Sequence, residues 1–148
     1  MLRGLPIVAA AALLAAPALA GPDGAAIYKR CAACHLPNGA GVPGAYPPLG
    51  SDFAKLAASP AGRRYLVLAV LKGVSGSITV AGKPYSGVMP AQGLDDASAA
   101  AVLNHVAAQV AKTNAKPFTA AEVATVRASS AGMNSAAVGK LHATVGGK

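Results

Sequence analysis

The sequence has no tryptophan, two phenylalanines and four tyrosines among 148 residues, so it is short of the large side chains that normally fill a core. Acids are scarce, five against 13 Lys plus Arg, and there are only two cysteines. Two cysteines exclude a disulfide-rich scaffold. After the first 20 residues there is no further long apolar run, which excludes a second membrane segment. A small domain whose apolar content is mostly Ala, interleaved with Gly and Pro, buries little by itself and needs something else to pack around. A large flat cofactor would meet that need.

What is present points to one exported domain. Hydrophobic residues make up 53% and charged residues 12%, too little charge for a disordered chain. Residues 1–20 carry a basic start at Arg3, an apolar run from Leu5 to Leu19 interrupted by Pro6 and Pro17, and the small-x-small end Ala18-Leu19-Ala20. This is the pattern of a cleaved signal peptide, and the run is too short and too broken to span a membrane. The expected division is signal peptide 1–20, a folded domain over 21–128 and a flexible C-terminal tail over 129–148, with no membrane span after cleavage. Without Arg3 the balance is 12 Lys plus Arg against five acids, a formal +7. The cations are spread singly apart from Lys29-Arg30 and Arg63-Arg64, with no basic recognition helix, which argues against nucleic acid. An acidic protein partner suits such a surface better.

Helix signals recur along the chain. Asp23 can cap a helix running to Cys34, and Ser59-Pro60 opens one that stops at Gly73. Leu94-Asp95-Asp96 opens a third, with Val102, Leu103, Val106 and Val110 as its buried stripe. Thr119 to Glu122 is a capping box for a fourth, ending near Ala128. Residues 36–51 hold four Pro and four Gly and read as a wrapped loop. Ile78 and Val80 alternate before a Gly turn, predicting a small hairpin over Ser77–Ser86, and Ser86–Gly93 reads as loop. The residues from Ser129 onward read as frayed.

Both cysteines lie in Cys31-Ala32-Ala33-Cys34-His35. A thioredoxin-like redox pair would need an α/β frame, a zinc site two more strong ligands, and a disulfide would leave the histidine without a role. Cys-x-x-Cys-His is the attachment signature of a c-type haem. Two thiols at that spacing add to the two vinyl groups on one porphyrin edge, and the next residue is then held under the ring. That assigns Cys31 and Cys34 to covalent attachment and His35 to the iron.

On CAACHLPNGAGVPGAYPPLGS, LKGVSGSITVAGKPYSGVMP and LDDASAAAVLNHV, the sequence resembles the monohaem class I cytochromes c of the bacterial periplasm over about residues 24–128, in particular those that serve dehydrogenases or feed terminal oxidases. The resemblance implies an all-α fold, several helices and long loops wrapped around one covalent haem c, with the first and last core helices crossing. It implies that the Pro47 carbonyl accepts from the outer ring N–H of His35, that Leu49 packs on the haem and that Met89 is the sixth iron ligand. The chain departs from the pattern at His105, where relatives often carry an aromatic residue, and in AKTNAKPF, where they have an aromatic-rich turn.

Met89 also follows from the residues themselves. The other candidates opposite His35 are Met133 and His142, both in the expected tail, and His105, beside the stripe of a helix. Met89 lies between Gly87 and Pro90, so the backbone can approach the ring and is held extended. A haem iron ligated on both faces has no position for substrate. The expected function is therefore single-electron transfer in the periplasm between a dehydrogenase and a downstream cytochrome or oxidase, without enzymatic activity of its own, with Lys55, Lys72 and Lys83 around the crevice. The alternatives are a haem protein with an open distal face, gas-binding or peroxidase-like, and a thiol-disulfide oxidoreductase.

Overall fold

The structure is a computed structural model that describes residues 21–147; the expected signal peptide lies outside them. It is mostly helical, with one two-stranded antiparallel sheet, as the expected helical fold with a small hairpin has it. Helix α1 spans Gly24–His35, α2 Ser51–Ala57, α3 Pro60–Lys72, α4 Asp96–His105, α5 Ala120–Ala128 and α6 Ser135–Thr144. Strands β1 (Val74–Val80) and β2 (Lys83–Met89) lie between α3 and α4. No described helix is long and apolar enough to cross a membrane.

The caps are those the sequence announces. Asp23 accepts from the N–H groups of Ala25 and Ala26, Ser59 from Gly62, Asp95 from Ser98 and Thr119 from Glu122. Each satisfies a donor that the first helical turn leaves without a partner. Helix α4 continues into a π-helical turn, Val106–Val110, so its buried stripe reaches as far as expected by a wider winding.

Helices α1 and α4 cross closely because position 24 is glycine: a Cβ there would run into the carbonyl of Ala101. One turn on, the rings of Tyr28 and His105 pack 5.1 Å apart. His105 is therefore a half-buried packing residue of the crossing.

Two expectations are corrected. The hairpin is longer than Ser77–Ser86, pairing Val74 with Met89 at its open end and Val80 with Lys83 at its turn. Ser86–Met89 is thus strand. Its serine and glycine have weak strand preference, and the cross-strand partner supplies what they lack. Ala81 and Gly82, at φ 50° and 74°, form the left-handed two-residue turn that matches the twist of a hairpin.

The second correction concerns the tail. Residues 135–144 form α6, capped by Asn134, which accepts from the Ala137 N–H at 2.9 Å. Val138 and His142 are buried. Gly139 lets the helix lie directly against β1, since a Cβ would collide with the Ser75 carbonyl, and the hydroxyls of Ser75 and Ser135 pair at 3.0 Å.

A polar clasp ties α3 to α5. The Arg63 guanidinium donates to both Glu122 carboxylate oxygens, at 2.8 and 2.7 Å, and to the carbonyls of Lys116 and Pro117, while covering the Phe118 ring at 3.9 Å. The hydrogen bonds from Arg63, and then its charge, hold the Glu122 carboxyl below its ordinary range. Arg63→Ala leaves these acceptors without their donor and should cost about 2 to 3 kcal/mol, a fall in melting temperature on the order of 10 °C. A carboxyl depressed in the fold stabilises above its unfolded-state value and loses that contribution as pH falls through the folded one. The variant's melting temperature should therefore drop less steeply in acid than the parent's, read by thermal melts between neutral pH and pH 3.

Candidate functional site

One cavity of about 310 Å³ lies between α1, the 36–50 loop, α2, α3, α4 and the hairpin. Its wall is mainly apolar, and its volume falls in the range of small-molecule and cofactor sites. Cys31, Cys34 and His35 enter it from the last turn of α1, Pro47 and Leu49 from the loop, and Met89 from the end of β2. All six residues singled out in the sequence thus line a single space.

His35 is the most tightly specified. Helix α1 ends on it, Leu36 turns the chain at φ 64°, and its ring is 8% exposed. Its Nδ1 lies 2.8 Å from the Pro47 carbonyl oxygen; a carbonyl only accepts, so Nδ1 carries the proton and Nε2 keeps its lone pair. That is the tautomer a metal-binding imidazole needs. Burial lowers the His35 pKa, against a smaller opposing effect of the Pro47 bond, which favours the neutral ring. Both thiols are half-buried, and burial pushes Cys31 up against a smaller lowering by Arg30.

Met89 is half-buried and packs against the core. Its backbone is fixed by pairing with Val74, and the chain beyond it is pinned where the Gln92 N–H donates to the Val70 carbonyl at 3.0 Å. Arg30 donates to the Gln92 carbonyl at 3.2 Å, joining the attachment helix to this segment. Lys55, Lys72 and Lys83 stand on elements that border the cavity, but none lines it; among the described residues the Lys or Arg in its wall is Arg30.

Residues 22–109 match the family described as Cytochrome c. The chain belongs to the cytochrome c family. It is 48% identical over 121 residues to a cytochrome c-552 of Thermus thermophilus (strain ATCC 27634), covering 78% of this chain and 82% of that protein. A second Thermus thermophilus cytochrome c-552 is 48% identical over 111 residues, 72% of this chain and 85% of that protein. This cytochrome is accordingly a c-type electron carrier whose cofactor is covalent haem c. The donor set fits that group: two thiols and an imidazole with a free lone pair share one apolar cavity.

Sequence reasoning missed a second polar group in the wall. Asp52 on α2, Tyr65 on α3 and His142 on α6 all line the cavity. His142 Nε2 lies 2.8 Å from Asp52 Oδ2, and its ring meets that of Tyr65 edge-on at 5.3 Å. No local signal foretells a pair 90 residues apart. His142, placed in the expected tail by the sequence, is held in α6, and its Nε2 is engaged by Asp52.

Proposed function

We propose that this cytochrome is a periplasmic carrier that shuttles single electrons between a dehydrogenase and a downstream acceptor, a terminal oxidase or another cytochrome. Cys31 and Cys34 would hold the haem through two thioethers, His35 and Met89 would bind its iron, Pro47 would orient His35, and Leu49 would contribute to the apolar wall. The observation that carries this reading is the shared cavity of His35, its Nδ1 committed to Pro47, and Met89, anchored on a paired strand. The bound haem supplies a one-electron Fe(III)/Fe(II) couple. The chain supplies the attachment points, a mainly apolar pocket that limits solvent rearrangement, and a protein-fixed environment on both sides of the ring. An electron delivered to or removed from such a group needs only close approach of a partner.

The sequence favours an acidic partner, with 12 Lys plus Arg against five acids in residues 21–148. The second-order rate of electron transfer with an acidic redox protein should fall as salt rises, because screening acts over about 8 Å at physiological ionic strength. Stopped-flow measurement over a salt series tests this; a rate that does not change with salt removes electrostatic steering from the account.

A further inference from the structure

We propose that α6 is the brace that keeps Met89 in place, so that its seating on β1, through Gly139, sets how readily the face of the haem opposite His35 opens to small ligands. The proposal rests on Met89 being the sixth ligand. Met89 ends β2, and the three residues before it, Ser86, Gly87 and Val88, are exposed, so this end of the strand is fixed through its neighbour rather than by burial. Among the described residues that neighbour is β1 alone. A two-stranded hairpin by itself is marginally stable at best in water, and packing against a helix is one of the few things that stabilises it.

Helix α6 fills that role. Successive side chains of a strand point to opposite sides: Val74, Ile78, Tyr85 and Met89 line the cavity, whereas Ser75 meets α6. The Ser75 carbonyl lies where a Cβ at position 139 would stand, and the Ser75 hydroxyl pairs with that of Ser135. The route from helix to ligand is therefore short, since Ser75 is bonded to Val74 and Val74 pairs with Met89. Helix α6 is in turn anchored to the body of the protein: Val138 is fully buried, and the His142 ring packs edge-on against Tyr65 of α3. On the other side of the ligand, Gly73, at φ 78° after the last turn of α3, leaves the space that the Met89 carbonyl occupies. Met89 is held between these two supports.

Two arrangements follow. With α6 seated, the strands stay paired and Met89 stays in the cavity wall. With α6 lifted, the hairpin loses the helix it packs on, α6 and the hairpin open together as one local unit, and Met89 leaves the wall. Helix α1, which carries His35 and both thiols, packs on α4 at Gly24 and takes no part in the opening. Attachment is thereby separated from ligation of the opposite face.

The test uses the haem-loaded, full-length protein. Gly139→Leu drives a side chain into the Ser75 carbonyl and should lift α6. The ferric variant should lose the sulfur-to-iron band on warming well before its helix signal melts. It should bind cyanide faster than the parent by about fivefold or more, the lower end of the usual coupling between two sites. Arg63→Ala is the control for a general loss of stability, because its clasp lies outside the cavity wall; its cyanide rate should match the parent's. Should Gly139→Leu fail to fold, amide exchange on the unmodified ferric protein decides. Coupling is reciprocal, so cyanide, by displacing Met89, should speed exchange at Val138 and Leu141 of α6 and leave Tyr28 of α1 unchanged. Equal cyanide rates in the parent and Gly139→Leu, an equal rise in Arg63→Ala, or α6 exchange indifferent to cyanide overturns the proposal. A parent that lacks the sulfur-to-iron band from the start overturns the ligand assignment itself, and the proposal falls with it.

Discussion

Replacing Met89 with alanine should abolish the sulfur-to-iron charge-transfer band of the ferric protein and lower its potential. Axial ligands spread haem potentials over about 0.8 V, and thioether ligation favours Fe(II), so its loss should move the potential down by on the order of 0.1 V or more. The same variant should bind cyanide in the ferric state and carbon monoxide in the ferrous state far more readily than the parent. The fold should survive, because Met89 is half-buried and its strand is held by backbone pairing with Val74 rather than by its side chain. Redox titration and ligand binding on one preparation check all three effects. A variant with unchanged spectrum and potential would place the sixth ligand elsewhere. His142 would first have to give up its bond to Asp52, and His105 its packing on Tyr28.

The second large effect concerns attachment. The Cys31→Ser, Cys34→Ser double variant, matured in a periplasm, should carry no covalent haem by intact-mass spectrometry, and each single variant should hold haem by one bond. The double variant should also lose its cooperative melt. Leaving an apolar cavity of about 310 Å³ without its occupant would cost up to about 7 kcal/mol at ~24 cal/mol per Å³, an upper bound because the cavity opens to solvent. That is comparable with the whole stability of a domain this size, about 5–15 kcal/mol. A double variant that still shows covalent haem would mean that the attachment site is misassigned.

Four of the five helices with side-chain caps were legible. Asp23, Ser59, Asp95 and Thr119 each announced a helix that the structure contains, since a cap is a local event between residues two or three apart. Helix α2 was not foreseen: its cap position is Gly50, which has no side chain to mark the start. Helix α6 carried a readable cap at Asn134, but its Ala and Gly content suggested little to bury. Only the close approach to β1 at Gly139 shows what holds it, and that contact is tertiary.

The site divides in the same way. Cys31, Cys34 and His35 were visible because covalent haem attachment imposes fixed spacing in sequence. Pro47, Leu49 and Met89 came through resemblance to a family and, for Met89, through the glycine and proline around it. Asp52 and His142 were invisible, because their pairing depends on α2 and α6 meeting across the cavity wall. In sequence His142 read as a tail residue, and nothing in the sequence singled out Asp52.

The central claim, a haem iron ligated by both His35 and Met89 in a protein that carries electrons and does not bind substrate, is tested most directly by the absorption spectrum of the unmodified ferric protein. The account predicts a low-spin spectrum with a weak sulfur-to-iron band at the red end of the visible range. A high-spin ferric spectrum without that band would contradict it, and would mean an open distal face and a haem protein of another kind.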